Sequence, residues 1–181
     1  MAKPLTAVVV AAAVALALSS CTIPARATEM GAIGDTFVVP VDDSDGEVRV
    51  AVSELVEVSD SDAELWDLQG VADEYNVSDQ PSEPTFYFIH YSVEQVKGEL
   101  PSQVPRDWVL STPDETLYRA YFMLPPDEAG CSGTFDDDGT GCAVVLVPSG
   151  TEIAMVRYYG VDQWSTRAGM GSDYWAGWQL D

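Results

Sequence analysis

Few side chains in this chain are candidates for catalysis or ligand binding, and the single histidine is the first of them. A Ser-His-Asp hydrolase would have to use His90, which lies in a run of aromatic and β-branched residues. A histidine in such a run is ordinarily a packed or surface residue. The chain has no Gly-x-Ser-x-Gly, His-Glu-x-x-His or Gly-x-x-x-x-Gly-Lys pattern. We therefore predict no catalytic residue and no enzyme, and keep an exported hydrolase built on His90 as the alternative.

Two runs of aspartate beside glycine are the better chemical lead. Calcium takes roughly six to eight oxygen ligands on a flexible frame, and acidic loops at one end of a β-sandwich could supply them. Neither run has the spacing of a calcium loop with a closing glutamate, and Asp-Gly turns also serve hairpins. The prediction is no cofactor, with Ca²⁺ binding as the alternative. The aspartates concerned are Asp42, Asp43, Asp45, Asp136, Asp137 and Asp138.

The beginning of the sequence has the layout of an export signal. Lys3 precedes an apolar run, Ala7–Leu18, that is shorter than the roughly 20 residues needed to cross a bilayer. Leu18-Ser19-Ser20-Cys21 resembles a bacterial lipobox, which implies cleavage before Cys21 and a lipid on its sulfur and amine. The competing site is Ala25-Arg26-Ala27, an Ala-x-Ala pattern at which cleavage would discard Cys21 and release a soluble protein.

The other two cysteines are Cys131 and Cys142, separated by a short loop rich in glycine and aspartate. In an exported chain such a pair is predicted to form a disulfide, and closing a loop of that size contributes about 3 kcal/mol. The spacing is far from Cys-x-x-Cys, which argues against a redox-active pair.

Charge excludes one class of partner. The chain has 30 acidic and 8 basic residues and a net charge of −22. Such a surface repels nucleic acid and other polyanions. The predicted partners are therefore the membrane, through a lipid on Cys21, and an envelope protein or a glycan.

β-Strand patterns fill most of the chain after the signal. Thr36–Val41 is β-branched, with Pro40 typical of an edge or a strand end, and an Asp-Gly turn joins it to Glu47–Ser53. Alternating valines there predict a half-buried strand that extends to Val58, with a break at Glu54. Further strands are predicted at Phe86–Val93, Trp108–Leu110, Thr116–Leu124, Ala143–Val147 and Ile153–Tyr159, the last two as a hairpin. The first of these has bulky residues on both faces, which predicts a central strand.

Three regions lack this strand pattern. Residues 21–33 are predicted to be a flexible tether, and the acidic region 59–84 is predicted to hold a short helix at Asp62–Leu68. The tail contains Trp164, Trp175 and Trp178. These tryptophans are predicted to seal one end of a sandwich, because exposed apolar patches are normally avoided. Stacking on sugar rings is the alternative.

Residues 33–165 resemble a known group of proteins. "AIGDTFVVP", followed by "GEVRVAVSELVEV", is similar to the opening of MPT63-like exported immunoglobulin-like proteins of actinobacteria. The aromatic strand Phe86–Val93, and Cys142 before "VLVPSG" and a closing strand, extend the likeness. The resemblance implies a β-sandwich and an envelope location, and it supplies no catalytic residues. The acidic region 59–84 and the tryptophan-rich tail depart from the pattern.

These observations together predict an all-β protein. Residues 1–20 are predicted to be a lipoprotein signal peptide, 21–33 a tether, and 34–181 an immunoglobulin-like β-sandwich with one disulfide. The predicted function is non-catalytic binding or interaction at the extracellular face of the cell membrane, where lipidated Cys21 anchors the chain. A Ca²⁺- or glycan-binding module that uses the aspartate runs or the tryptophan tail is a further alternative.

Overall fold

Strands and two short helices make up the computed structural model, which describes residues 28–40, 46–75, 77, 80–98, 107–121, 129–131, 139–159 and 174–180. In chain order the elements are β1 Glu29–Ala32, β2 Thr36–Pro40, β3 Glu47–Glu57, α1 Asp60–Leu65, α2 Leu68–Glu74, β4 Pro84–Lys97, β5 Trp108–Ser111, β6 Leu117–Tyr121, β7 Thr140–Pro148, β8 Met155–Tyr158 and β9 Ala176–Gln179.

The strands form one folded sheet with the order β1-β9-β8-β5-β6-β7-β4-β3-β2. We call β1, β9, β8 and β5 the front sheet, and β7, β4, β3 and β2 the back sheet. β6 pairs with β5 on one side and β7 on the other, so it joins the two layers. Every described pair is antiparallel except β1 with β9. The predicted all-β, immunoglobulin-like sandwich is confirmed.

The interior between the sheets is filled by aromatic and branched side chains. Successive side chains of a strand point to opposite faces, so every second residue of β4 points inward. These residues are Tyr87, Ile89, Tyr91 and Val93. Trp108 of β5 is fully buried, and its ring centroid lies 4.5 Å from that of Tyr91 and 5.7 Å from that of Trp178. Aromatic contacts therefore join the two layers at the centre of the interior.

β3 carries a register shift between Val52 and Glu54, at the break that the sequence predicted. Before the shift, Val50 and Val52 face the interior. After it, Leu55 faces the interior and Val56 faces the other side of the sheet. An extra residue at a bulge reverses the alternation, so one strand serves two apolar layers.

The second apolar layer lies on the outer face of the back sheet, beneath the helices. Ser59 caps α1, because its side chain accepts a hydrogen bond from the backbone N–H of Asp62 at 3.2 Å. α2 buries Leu68 and Ala72. These residues belong to one cluster with Val58, Phe86, Phe88, Cys131, Cys142, Val144 and Leu146. The region that the sequence marked as an acidic insert is thus a helical cover.

The predicted hairpin of the strands before and after Pro148 is wrong. β7 pairs with β4 and β6, whereas β8 pairs with β5 and β9. Gly150 has a φ of +79°, and the chain then crosses to the front sheet, where Ala154 N donates to Ser111 O at 2.8 Å. The apolar run of β7 is buried on both faces. Its two edges pair with β4 and β6, so no edge is left for β8.

The tether prediction is wrong for Glu29–Ala32. These residues form β1 and pair in parallel with Ala176–Gln179, in a register that joins Glu29 to Ala176. Neither segment has a clear strand pattern in the sequence. β1 finds its backbone hydrogen-bond partners on β9, and β9 pairs along its other edge with β8.

Candidate functional site

The outer face of the front sheet holds an unusual group of buried polar side chains. Trp108, Val156 and Trp178 point inward from β5, β8 and β9. The residue next to each of these along its strand therefore points outward. The strand register places one such residue, Arg157, between Val109 and Gly177. Despite this outward position, Arg157 is only 3% exposed.

Two groups hold the Arg157 guanidinium. Its Nη2 donates to Glu115 Oε2 at 2.6 Å. Its central carbon lies 4.6 Å from the centroid of the Tyr174 ring, which is a cation–π contact. Burial alone would lower the pKa of Arg157, but the Glu115 carboxylate and the nearby Tyr159 hydroxyl raise it above its ordinary value. The guanidinium therefore stays charged while buried.

The turn between β5 and β6 presents Glu115. Glu115 has a φ of +66°, which is uncommon for a residue with a side chain, and its N–H donates to Thr112 O at 3.1 Å. The Thr112 hydroxyl accepts from Thr116 N at 2.9 Å and donates to the Asp114 carboxylate. Hydrogen bonds from Thr112 and Thr116 lower the pKa of Asp114. Hydrogen bonds therefore hold the turn on both sides of the strained Glu115, and they place its carboxylate against Arg157.

Gly177 makes room for the ring on the other side of Arg157. A Cβ at this position would lie 2.8 Å from Tyr174 Cε2 and 2.8 Å from Met155 Sδ. The Tyr174 hydroxyl donates to Met30 Sδ at 3.2 Å. The tyrosine ring therefore lies across the glycine of β9 and reaches β1.

Three polar atoms of this face are buried without a hydrogen-bond partner in the described structure: Arg157 Nε, Ser111 Oγ and Tyr159 Oη. Ser111 is fully buried and pairs in register with Met155, so it lies diagonally across from Arg157. Tyr159 follows Arg157 by two residues, and burial is the main cause of its raised pKa. Its hydroxyl lies near the guanidinium without the geometry of a hydrogen bond. Such unmatched buried groups ordinarily destabilise a fold.

The arrangement is suited to binding an anion. Guanidinium nitrogens and hydroxyls are hydrogen-bond donors, and a planar guanidinium matches the geometry of a carboxylate. We call Ser111, Glu115, Arg157, Tyr159 and Tyr174 the front-face cluster.

Sequence reasoning did not find this cluster. One signal was present: Arg157 stands between Val156 and Tyr158 in a strand, in a chain with only 8 basic residues. A charged residue amid apolar neighbours on a predicted strand indicates either an exposed face or a buried site. The pairing of β8 with β5, which brings Glu115 near, was not predicted.

The candidate catalytic histidine lies elsewhere. His90 is half-buried, and it pairs in register with Cys142 of β7 and Glu54 of β3. The Ser53 hydroxyl donates to the backbone carbonyl of His90 at 3.2 Å. This serine therefore binds the backbone of His90, whereas a catalytic nucleophile would need the imidazole ring.

The predicted disulfide between Cys131 and Cys142 is confirmed, with 5.2 Å between the two Cα atoms. It belongs to the apolar layer under the helices. Strand β4, which was predicted to be central, lies between β3 and β7.

Seven predicted site residues lie outside the described residues: Cys21, Asp42, Asp43, Asp45, Asp136, Asp137 and Asp138. The lipid anchor and the Ca²⁺ alternative therefore stay predictions. Within the described ranges, no group of three or more His, Cys, Asp or Glu side chains could hold a metal ion. No helix in that same part of the chain is long and apolar enough to span a membrane.

Two tryptophans of the tail close the interior, as predicted for a sealing role. Trp178 is fully buried, and its indole N–H donates to Asp35 O at 2.9 Å. Trp175 is 7% exposed. Neither presents the open ring face that stacking on a sugar requires. Trp164 lies outside the described residues.

Comparison with known proteins supports the fold. No protein-family model and no curated protein matches the chain. A solved structure that does match is MPT63, a secreted protein from Mycobacterium tuberculosis. It is 14% identical, with a TM-score of 0.53, and the match covers 85% of this chain and 98% of that one. The likeness shows a shared MPT63-like fold across most of both chains.

Proposed function

We propose that this chain is an exported domain of the cell envelope, anchored by a lipid on Cys21, and that its role is binding without catalysis. The observation that supports a binding role is the front-face cluster. Arg157 and Ser111 are buried on the outside of a sheet whose interior is already filled, so they add nothing to the apolar core. Buried polar groups that a fold does not need are typical of a ligand site.

The export signal and the fold support the location. The lipobox-like Leu18-Ser19-Ser20-Cys21 follows a short apolar run, and the fold is shared with a protein described as secreted. A disulfide between Cys131 and Cys142 also suits a compartment outside the cytoplasm.

A lipid on Cys21 would hold the domain close to the membrane. The chain from Cys21 to Thr28 can span at most about 25 Å. Thr28 Oγ1 donates to Tyr174 O, and Glu29 N donates to Trp175 O, each at 3.1 Å. The end of the sandwich next to the front-face cluster would therefore face the membrane.

The anchoring is tested by replacing Cys21 with serine and following the protein between membrane and medium. We expect the Cys21→Ser protein to leave the membrane fraction. The matched control is Ala25→Asp, which disrupts the competing Ala-x-Ala site and should leave the anchored protein in place. Mass spectrometry of the mature N-terminus should show a lipid-modified Cys21. A Cys21→Ser protein that stays wholly with the membrane would contradict the anchor.

The absence of catalysis is tested at His90. Under this proposal, exported protein with His90→Ala folds and binds as the parent does. If the parent hydrolyses ester or peptide substrates and His90→Ala abolishes that hydrolysis, the hydrolase alternative replaces the proposal.

A further inference from the structure

We propose that the front-face cluster is a carboxylate-binding site, in which Arg157 anchors the ligand and Glu115 is an internal occupant that the ligand replaces. This inference rests on the proposed binding function and names the chemical class of its ligand.

The Arg157 guanidinium uses only half of one hydrogen-bonding edge. The Nε and Nη2 N–H groups of arginine point in parallel and match the two oxygens of one carboxylate. Glu115 Oε2 accepts a hydrogen bond from Arg157 Nη2 at 2.6 Å, whereas Arg157 Nε has no acceptor among the described residues. A carboxylate free to align with this edge would accept both hydrogen bonds.

Two further buried hydroxyls lie on the same face of the sheet as Arg157. Ser111 Oγ and Tyr159 Oη are both buried, and the described part of the chain offers neither of them a hydrogen-bond partner. Ser111 is on the neighbouring strand, and Tyr159 follows Arg157 on the same face. A ligand oxygen at the guanidinium could also accept a hydrogen bond from a hydroxyl, which would lower the cost of burying these groups.

Glu115 lies between the buried guanidinium and solvent. The side chain of Arg157 is 3% exposed and that of Glu115 is 68% exposed, so the carboxylate of Glu115 connects the buried guanidinium to solvent. Glu115 also has the strained φ of +66°. A ligand that enters where the Glu115 carboxylate lies needs only a change of the Glu115 side chain, because hydrogen bonds to Thr112 hold the backbone of this turn.

The charge of the site restricts the charge of its ligand. One guanidinium balances one negative charge, whereas a phosphate dianion would meet the repulsion of a chain with a net charge of −22. The Tyr174 ring against the guanidinium adds an apolar wall. The ligand class is therefore a monocarboxylate with an apolar group beside it, supplied either by a small free acid or by a peptide.

The test uses the mature exported protein and follows the Arg157 Nε–H signal by NMR during titration with acetate. The Glu115→Ala protein should bind acetate about tenfold more tightly than the parent, because the internal competitor is gone. The matched control is Glu152→Ala, which removes one exposed acidic charge elsewhere and should leave the affinity unchanged. Acetamide, which lacks the charge, should not move the signal.

Two peptide arms separate the sources of the carboxylate. One peptide has a free C-terminal carboxylate and neutral side chains, and the other has an amidated C-terminus and one glutamate. Tighter binding of either peptide than of acetate identifies a peptide ligand and its binding group. Equal binding of all three identifies a small-acid site.

The inference is overturned if folded Glu115→Ala protein shows no shift of the Arg157 signal at about 100 mM acetate, or if acetamide shifts it equally. Arg157→Lys should abolish binding, because lysine lacks the parallel edge. Should Arg157→Lys fail to fold, Ser111→Ala keeps the fold and should weaken binding about threefold. Binding by purified protein is independent of Cys21, so failure of the lipid anchor and failure of this site give different results.

Discussion

The two sheets of this sandwich share one interior but have contrasting outer faces. The back sheet covers Phe86 and Phe88 with α2 and a disulfide, so its outer face is a second apolar core. The front sheet buries Arg157, Ser111 and Tyr159 on its outer face. These named side chains are nearly fully buried on both faces, and they differ in chemistry.

This difference separates stability from function. Apolar area removed from water stabilises a fold by about 25 cal/mol for each Å². Buried polar atoms without partners have the opposite effect, and a buried ion pair is often replaceable by apolar residues at no loss. The back face is therefore expected to stabilise the protein, and the front face to bind. Four measurements, given in order of expected effect, test this contrast.

The largest expected effect is at the back face. Phe88 is 2% exposed and packs against Trp66 at a centroid distance of 6.3 Å. Phe88→Ala should lower the free energy of unfolding by about 3 to 5 kcal/mol, because it leaves a cavity under the helices. Urea denaturation followed by circular dichroism measures the loss. A loss below about 1 kcal/mol would show that the helical cover is not a core.

The disulfide is the next element of the back face. Replacing Cys131 and Cys142 together with serine should lower the free energy of unfolding by about 3 kcal/mol, because the unfolded chain regains the entropy of the open loop. The same urea experiment, with the parent under reducing conditions as control, measures it. The reduced parent and the double variant should have the same free energy of unfolding. Disagreement would mean that the hydroxyls themselves disturb the layer.

The free energy of unfolding should fall at alkaline pH, because two tyrosines are buried in the interior. Burial raises the pKa of both Tyr87 and Tyr91 to about 12, with further contributions from Glu57 and Asp107 respectively. The unfolded chain loses these protons near pH 10, whereas the folded chain keeps them. Stability is therefore full below pH 10 and is lost as pH rises toward 12, by about 2 kcal/mol for each tyrosine.

Melting temperature against pH checks this expectation, with Tyr91→Phe as the matched variant. The variant should show a shallower fall between pH 10 and pH 12. An unchanged slope would mean that Tyr91 ionises as readily in the folded state as in the unfolded state.

The smallest expected effect is at the front face. Arg157→Met keeps the length of the side chain and removes the buried charge, and it should change the free energy of unfolding by less than about 1 kcal/mol. Urea denaturation measures it beside Phe88→Ala. A loss as large as that of Phe88→Ala would make the front-face cluster a stabilising element and would remove the contrast between the faces.

Much of the fold could be predicted from local pattern. The alternating valines of β3 and the aromatic run of β4 have the two-residue period that burial of one or both faces imposes. Glu54 was visible as an interruption of the valines, but Val56 and Val58 keep the same parity in the sequence, so the reversal of faces at the bulge was not predicted. By contrast, β1 and β9 are short segments with no such pattern, and both depend on pairing with strands far away in the sequence: β1 pairs with β9, and β9 pairs with β1 and β8.

The candidate site could not be predicted from the sequence, for a related reason. Arg157 and Glu115 meet because β8 pairs with β5, whereas adjacency in the chain had predicted a hairpin of β7 with β8. Local pattern identifies strands but does not determine which distant strands become neighbours. The disulfide was predictable because the two cysteines are close in sequence and the export signal indicates an oxidising compartment.

The parallel ladder between β1 and β9 has a consequence for how the molecule is made. In the described sheet β9 is the neighbour of β1, so the strand nearest the signal can dock only after the strand nearest the carboxyl end has been synthesised. If the chain is exported amino end first, as proposed, β1 cannot pair until the segment that forms β9 has also crossed the membrane. The pairing of β1 with β9 would then be a late, long-range step of folding.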